Sequence, residues 1–291
     1  MHEYLESIGF SGLNTRKQLK SLLSDVQESY DYEEVVSSVN DMDLCEFRKE
    51  YGEEIGISIF GGQDEYSEFE REYYVPYFCG RGITSYSDVT VERHMERQMY
   101  VGICEDPKIG ITLIFHLQNM MEYEKRKSSG TMKKNSTTIT LSGLSNGGTI
   151  LFPIQKTEKE EQEVLEESRN RMMLLSAARN GDQDARETLT MEDMNLYSKV
   201  SKRLVKEDVL SLVDTYIMPY GVECDCYSIL GIITAIRESR NDLTGEELYI
   251  FTLDINELGF DVCIPKRQVF GEPEVGRRFK GNIWLQGKIN F

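Results

Sequence analysis

Few residues in this chain have types and spacing suited to chemistry. It has only three histidines, His2, His94 and His116, the side chain best matched to proton transfer near neutral pH. Glu92, His94 and Glu96 follow an i, i+2 spacing, which on a β-strand puts all three on one face. His116 falls on a later strand. Carboxylates beside an imidazole can hold a metal or work as a general base, so Glu92, His94 and His116 are the catalytic candidates. No nucleophile or second histidine stands at a diagnostic spacing, and a half-solvated strand face is the favoured reading of the same residues. G-x-S-x-G, Walker, G-x-G-x-x-G and H-E-x-x-H motifs are all missing, which removes the common enzyme classes that use them. The six cysteines form no C-x-x-C pair. Cys224-Asp225-Cys226 lacks further ligands at zinc spacing, so reduced thiols, no metal and no cofactor are expected.

A second candidate chemistry is binding. Lys266, Arg267, Arg277, Arg278 and Lys280 surround the only tryptophan, Trp284. Basic side chains can track phosphates while an aromatic ring stacks on a base, and the same set can serve a contact with another domain or subunit. The balance of 33 basic against 50 acidic residues gives a net charge of -17, which repels polyanions. A protein partner or self-association is therefore favoured over nucleic acid. A second local excess of base, Lys125, Arg126, Lys127, Lys133, Lys134 and Lys156 with no acid between, reads as a solvated loop.

The elements that position these residues follow from periodicity. From Phe279 every second residue is apolar or glycine through Phe291, predicting a half-buried closing strand with Trp284 on its outward side, where something else must cover it or it is a binding surface. A helix is expected from Arg16 towards Ser29, capped by Asn14 or Thr15. Alternation then runs from Val35 to Pro153 in several short strands, with a helix over 119–127. Among them are tyrosines between Glu70 and Tyr77, which we read as sheet packing. Ser145-Asn146-Gly147-Gly148 is expected to turn a hairpin. A capping box at Thr157 and Glu160 opens a helix to Asn180, and Asp182 and Thr190 cap two short helices, Gln183 to Leu189 and Met191 to Arg203. Alternation returns from Val209, with glycines at Gly231, Gly281 and Gly287 where a small barrel would bend.

The segments M-H-E-Y-L-E-S-I-G-F, E-R-E-Y-Y-V-P-Y-F, T-V-E-R-H, L-I-F-H-L-Q-N, A-A-R-N-G-D and G-E-P-E-V-G-R-R-F-K-G-N-I-W-L-Q-G resemble an uncharacterised domain-of-unknown-function family of anaerobic Gram-positive, clostridial bacteria. The resemblance covers essentially the whole chain. It implies a bacterial cytoplasmic protein and brings no activity, cofactor or site residue with it.

The expected architecture is α+β: a mostly antiparallel sheet domain over 1–156, a helical connector over 157–208, and a small OB-like β-barrel over 209–291. The start lacks a basic, apolar signal and no stretch approaches the ~20 apolar residues of a membrane span, so a cytoplasmic address without membrane contact is expected. The expected function is non-enzymatic binding or scaffolding. Single-stranded nucleic-acid binding through the barrel and a hydrolase or metal enzyme centred on His94 are the alternatives.

Overall fold

The structure is a computed structural model, described here over residues 2–37, 43–63, 69–93, 99–132, 137–154, 158–204 and 209–291. It is α+β and rich in sheet. A 3-10 helix, Glu3–Ile8, opens the chain. Helix α1 (Arg16–Glu28) starts where expected because Thr15 and Gln18 form a reciprocal capping box, worth about 1 kcal/mol. Its Leu22, Leu23 and Val26 face the core.

Four strands, β1 (Tyr32–Val36), β2 (Asp43–Gly52), β3 (Ile55–Gln63) and β4 (Glu70–Phe78), pair antiparallel in chain order. The second sheet begins with β5 (Val89–Arg93), β6 (Tyr100–Glu105) and β7 (Thr112–Leu117), followed by helix α2 (Met120–Ser128). It continues with β8 (Thr138–Leu144) and β9 (Gly148–Leu151). Helices α3 (Glu158–Arg179), α4 (Gln183–Leu204) and the short α5 (Val209–Leu212) intervene. Then come β10 (Tyr216–Pro219), β11 (Cys226–Arg240), β12 (Glu247–Ile255), β13 (Leu258–Pro265), β14 (Val269–Phe270) and β15 (Arg278–Asn290).

The pairings around β15 form a circuit. β11 pairs with β12 and β12 with β13; β13 lies parallel to β8; β8 pairs with β15, and β15 returns to β11. One strand of this circuit, β8, comes from ahead of the helices. Phe279, Ile283 and Leu285 line the inner face, where a Cβ on Gly143 would stand 3.2 Å from both Ile283 and Val262. The alternate residues of β15, from Arg278 to Asn290, face outward, as the alternation predicts.

Three sequence expectations fail locally. Ser145 to Gly148 turns no hairpin: β8 and β9 both run antiparallel to β15, over Leu285–Asn290 and Arg278–Gly281 respectively, so they are one extended path with a break. The glycine at 148 serves close packing instead, since a Cβ there would lie 2.2 Å from the Phe279 ring. Thr190 caps nothing. Its hydroxyl donates to the Arg186 carbonyl four residues back, inside a single helix α4, whereas Asp182 does accept from the Ala185 amide. Strand β2 had no counterpart in the alternation: one of its faces carries buried Glu46 and half-buried Arg48, a 2.8 Å ion pair. The capping position at Thr157 lies outside the described residues.

α3 and α4 form a helical hairpin whose own small core is Ala178, Ala185 and Leu189. Among the described residues no helix is long and apolar enough to cross a membrane.

Candidate functional site

The outward residues of β15 meet different neighbours along its length. Trp284 is only 4 % exposed. Its indole Nε1 donates to Asp225 Oδ2 at 2.7 Å. Tyr4 of the 3-10 helix stacks on it at 5.7 Å, His2 lies 4.7 Å away and His116 of β7 5.2 Å away. The cover that its outward position demanded is therefore the N-terminal 3-10 helix with β7, not the connector helices. Two residues on, Gln286 is fully buried: its Nε2 donates to the Pro76 carbonyl, while its Oε1 accepts from the Phe78 amide and Gln118 Nε2. Ser142 donates to the Phe78 carbonyl beside it. This half of the outer face is a seam joining the circuit to the four-stranded sheet.

The basic candidates occupy the other half and its flank. Arg278 is 6 % exposed, and its guanidinium donates to the carbonyls of Phe152, Leu210 and Val213; burial pushes its pKa down. It holds the returning chain after the helices. Lys266 pairs with Glu238 at 2.9 Å and lies over the Tyr249 ring, Arg267 pairs with Glu246 at 2.9 Å, and Arg277 pairs with Glu274 at 2.9 Å. Lys280 is half-buried and has no ion-pair partner among the described residues. Likewise Lys125, Arg126 and Lys127 of the other basic stretch pair with Glu34, Glu122 and Glu124. The basic strip read from the sequence is thus largely neutralised in place.

His116 and Glu92 fall in one cross-strand row, with Val101 between them. Two strand spacings separate them by about 10 Å. Glu92 is exposed on the edge strand, while His116 is 2 % exposed with no partner for Nδ1 among the described residues. Burial first, then His2 and Arg48, pushes the His116 pKa down to about 3, so it stays neutral at ordinary pH and accepts no proton there. His94 and Glu96 lie outside the described residues. The C-D-C pair is no better placed for nucleophilic work: burial pushes the Cys226 thiol up to about 11, and burial with Asp225 raises Cys224. The tyrosines pack in the sheets: Tyr73 stacks on Phe60 at 4.8 Å and Tyr74 accepts from the His2 amide.

What the sequence did not single out is a group of exposed apolar side chains. Phe152 and Phe270 are 75 % and 65 % exposed, and Val275 is 65 % exposed. Phe270 ends β14, whose register with β9 sets it beside Thr149, which in turn pairs with Lys280. Phe270, Thr149 and Lys280 thus form one row. The segment 271–277 connects this row to β15. Its Arg277 lies 5.2 Å over the Phe152 ring and donates to the Glu272 carbonyl. The available signal was position: Phe152 precedes Pro153 and Phe270 precedes Gly271, each where a strand stops.

A family model, DUF3881, a domain of unknown function with an E. rectale gene description, matches residues 5–287. Neither a curated protein nor a solved structure matches the chain.

Proposed function

Because the chain belongs to the DUF3881 family, which carries no assigned activity, we propose from the geometry that it is a non-enzymatic binding protein of the bacterial cytoplasm that engages another protein. The observations that carry this are three exposed apolar side chains at the ends of β9 and β14 and in the segment that follows: Phe152 with Arg277 5.2 Å over its ring, Phe270 in the row with Thr149 and Lys280, and Val275. Aromatic side chains and arginine are enriched in protein interfaces and at their energetic centres.

In this reading the five-strand circuit is a small OB-like barrel that presents the patch, and 157–208 is a helical connector outside it. The pairing order, with a long β11 shared by β12 and β15 and one parallel contact between β13 and β8, supports that description. The same likeness favours single-stranded nucleic-acid binding as the second reading, since such barrels bind on the face of their second and third strands. Here that face belongs to β12 and β13. It packs under the chain's own 3-10 helix, with Cys263 Sγ contacting the Ser7 carbonyl at 3.2 Å, which weighs against the second reading.

The test is a capture experiment in host lysate with the full chain and its Phe152→Ser, Phe270→Ser double variant, beside anisotropy titrations with a labelled mixed-sequence oligonucleotide at low salt. A stoichiometric protein held by the wild type and lost by the variant supports the reading. Equal capture by both, or oligonucleotide binding that weakens with salt, overturns it.

A further inference from the structure

A groove with a cavity volume of about 540 Å³ runs between α1 and the turn joining β11 to β12, on surface separate from the aromatic patch. Its floor is apolar, with Phe10 and Leu22 3 % and 6 % exposed, and Leu243 forms an outer lip at 60 % exposure. The size suits a small molecule.

Both walls are fixed before any ligand arrives. On one side the capping box anchors the first turn of α1. Gln18, Ser21, Leu22 and Asp25 line the groove from that helix, a spacing of three, four and seven that makes one stripe. On the other side Asn241 Oδ1 accepts from the amides of Leu243 and Thr244, while its Nδ2 donates to the Ile8 carbonyl. Thr244 Oγ1 donates to the Gly9 carbonyl. The lip is therefore tied to the N-terminal segment that also forms the floor.

The polar end of the groove selects the ligand. Asp25 Oδ2 is taken by Lys49 Nζ at 2.8 Å and Tyr51 OH at 3.0 Å, whereas Oδ1 has among the described residues only Ser29 Oγ at 3.2 Å, whose proton has a nearer acceptor in the Asp25 carbonyl at 2.7 Å. A carboxylate oxygen has two acceptor sites, so Oδ1 retains capacity for a donor from a ligand. The chain's net charge of -17 concentrates cations near its surface. We infer that this groove binds a small amphiphilic amine, its apolar body on Phe10, Leu22 and Leu243 and its ammonium donating to Asp25 Oδ1.

The experiment titrates the full chain with 2-phenylethylammonium, 2-phenylethanol and 3-phenylpropionate, following amide shifts of α1 and of the 241–246 turn by NMR. The ammonium should bind at least fivefold more tightly than the alcohol, and the carboxylate should not bind. Asp25→Asn should remove the preference for the ammonium over the alcohol. Leu243→Ser, at an exposed lip where folding is not at stake, should weaken both at least threefold. Equal binding of all three probes, shifts confined to other surfaces, no binding, or ammonium affinity unchanged by Leu243→Ser overturns the assignment. None of these outcomes bears on the Phe152 and Phe270 patch.

Discussion

Replacing Trp284 by Phe tests whether the outer face of β15 is a seam. The change removes three ring atoms from a site that is 4 % exposed; at about 0.8 kcal/mol for each buried methylene-sized group this loses roughly 2 kcal/mol. It also removes the Nε1 donor to Asp225. A hydrogen bond to a charged group contributes about 1.5–3 kcal/mol, but Asp225 is half-exposed and its carboxylate can turn to water, so about 1 kcal/mol is the appropriate share. The total is about 3 kcal/mol, against about 0.5 kcal/mol or less for a tryptophan on an open surface. Urea unfolding followed by far-ultraviolet circular dichroism measures the difference directly. In the wild type, emission from this one tryptophan should be blue-shifted and protected from acrylamide, with both properties lost only on unfolding. A loss below about 1 kcal/mol, or a native emission that acrylamide quenches as readily as a free indole, would refute the seam.

Arg278→Met should cost about 2–4 kcal/mol by leaving three carbonyls short of their donor, while Lys280→Ala two residues away should change stability by no more than about 0.5 kcal/mol; paired denaturation curves decide. Gly148→Ala should destabilise by about 2 kcal/mol or more through its clash with Phe279, and Gly147→Ala, whose Cβ would find nothing nearer than 3.6 Å, should be tolerated; equal tolerance at both positions would refute the packing role of Gly148. For His116 the folded pKa of about 3 lies below the unfolded 6.5, so the unfolded state binds the extra proton. The associated stability is complete above about pH 6.5 and is lost as pH falls from there towards 3. His116→Gln should flatten the fall in melting temperature across that window, and an unchanged slope would sink the assignment.

β15 was legible because its alternation separates two chemistries on thirteen residues, and α1 because its cap and apolar stripe are local. What covers the outer face was not legible, since the partners of Gln286 at Pro76 and Phe78 are more than 200 residues away. β2 was hidden by a largely buried ion pair that sequence reading takes for solvent-facing charge, and the glycine pair at 147 and 148 imitated a turn, whereas Gly148 makes room for the neighbouring Phe279 ring. The basic strip shows the same limit at the candidate site. Composition reveals five basic residues, but only the fold reveals that Glu238, Glu246 and Glu274 already hold three of them and that backbone carbonyls hold Arg278.

The outer face of β15 thus divides by what the rest of the chain has used. From Trp284 onward it is closed by the N-terminal helix, β7 and β4, each a necessary part of the core. At the start of the strand Arg278 is spent on the backbone that returns from the helices. Between these lies Lys280, in the row with Thr149 and Phe270; Arg277, just ahead of the strand, lies over the Phe152 ring, and β9 and β14 stop before burying either ring. A core that needed Phe152 and Phe270 would have extended those strands over them. Leaving both rings in water gives up apolar burial that folding could have used, and the proposed protein partner is what would recover it.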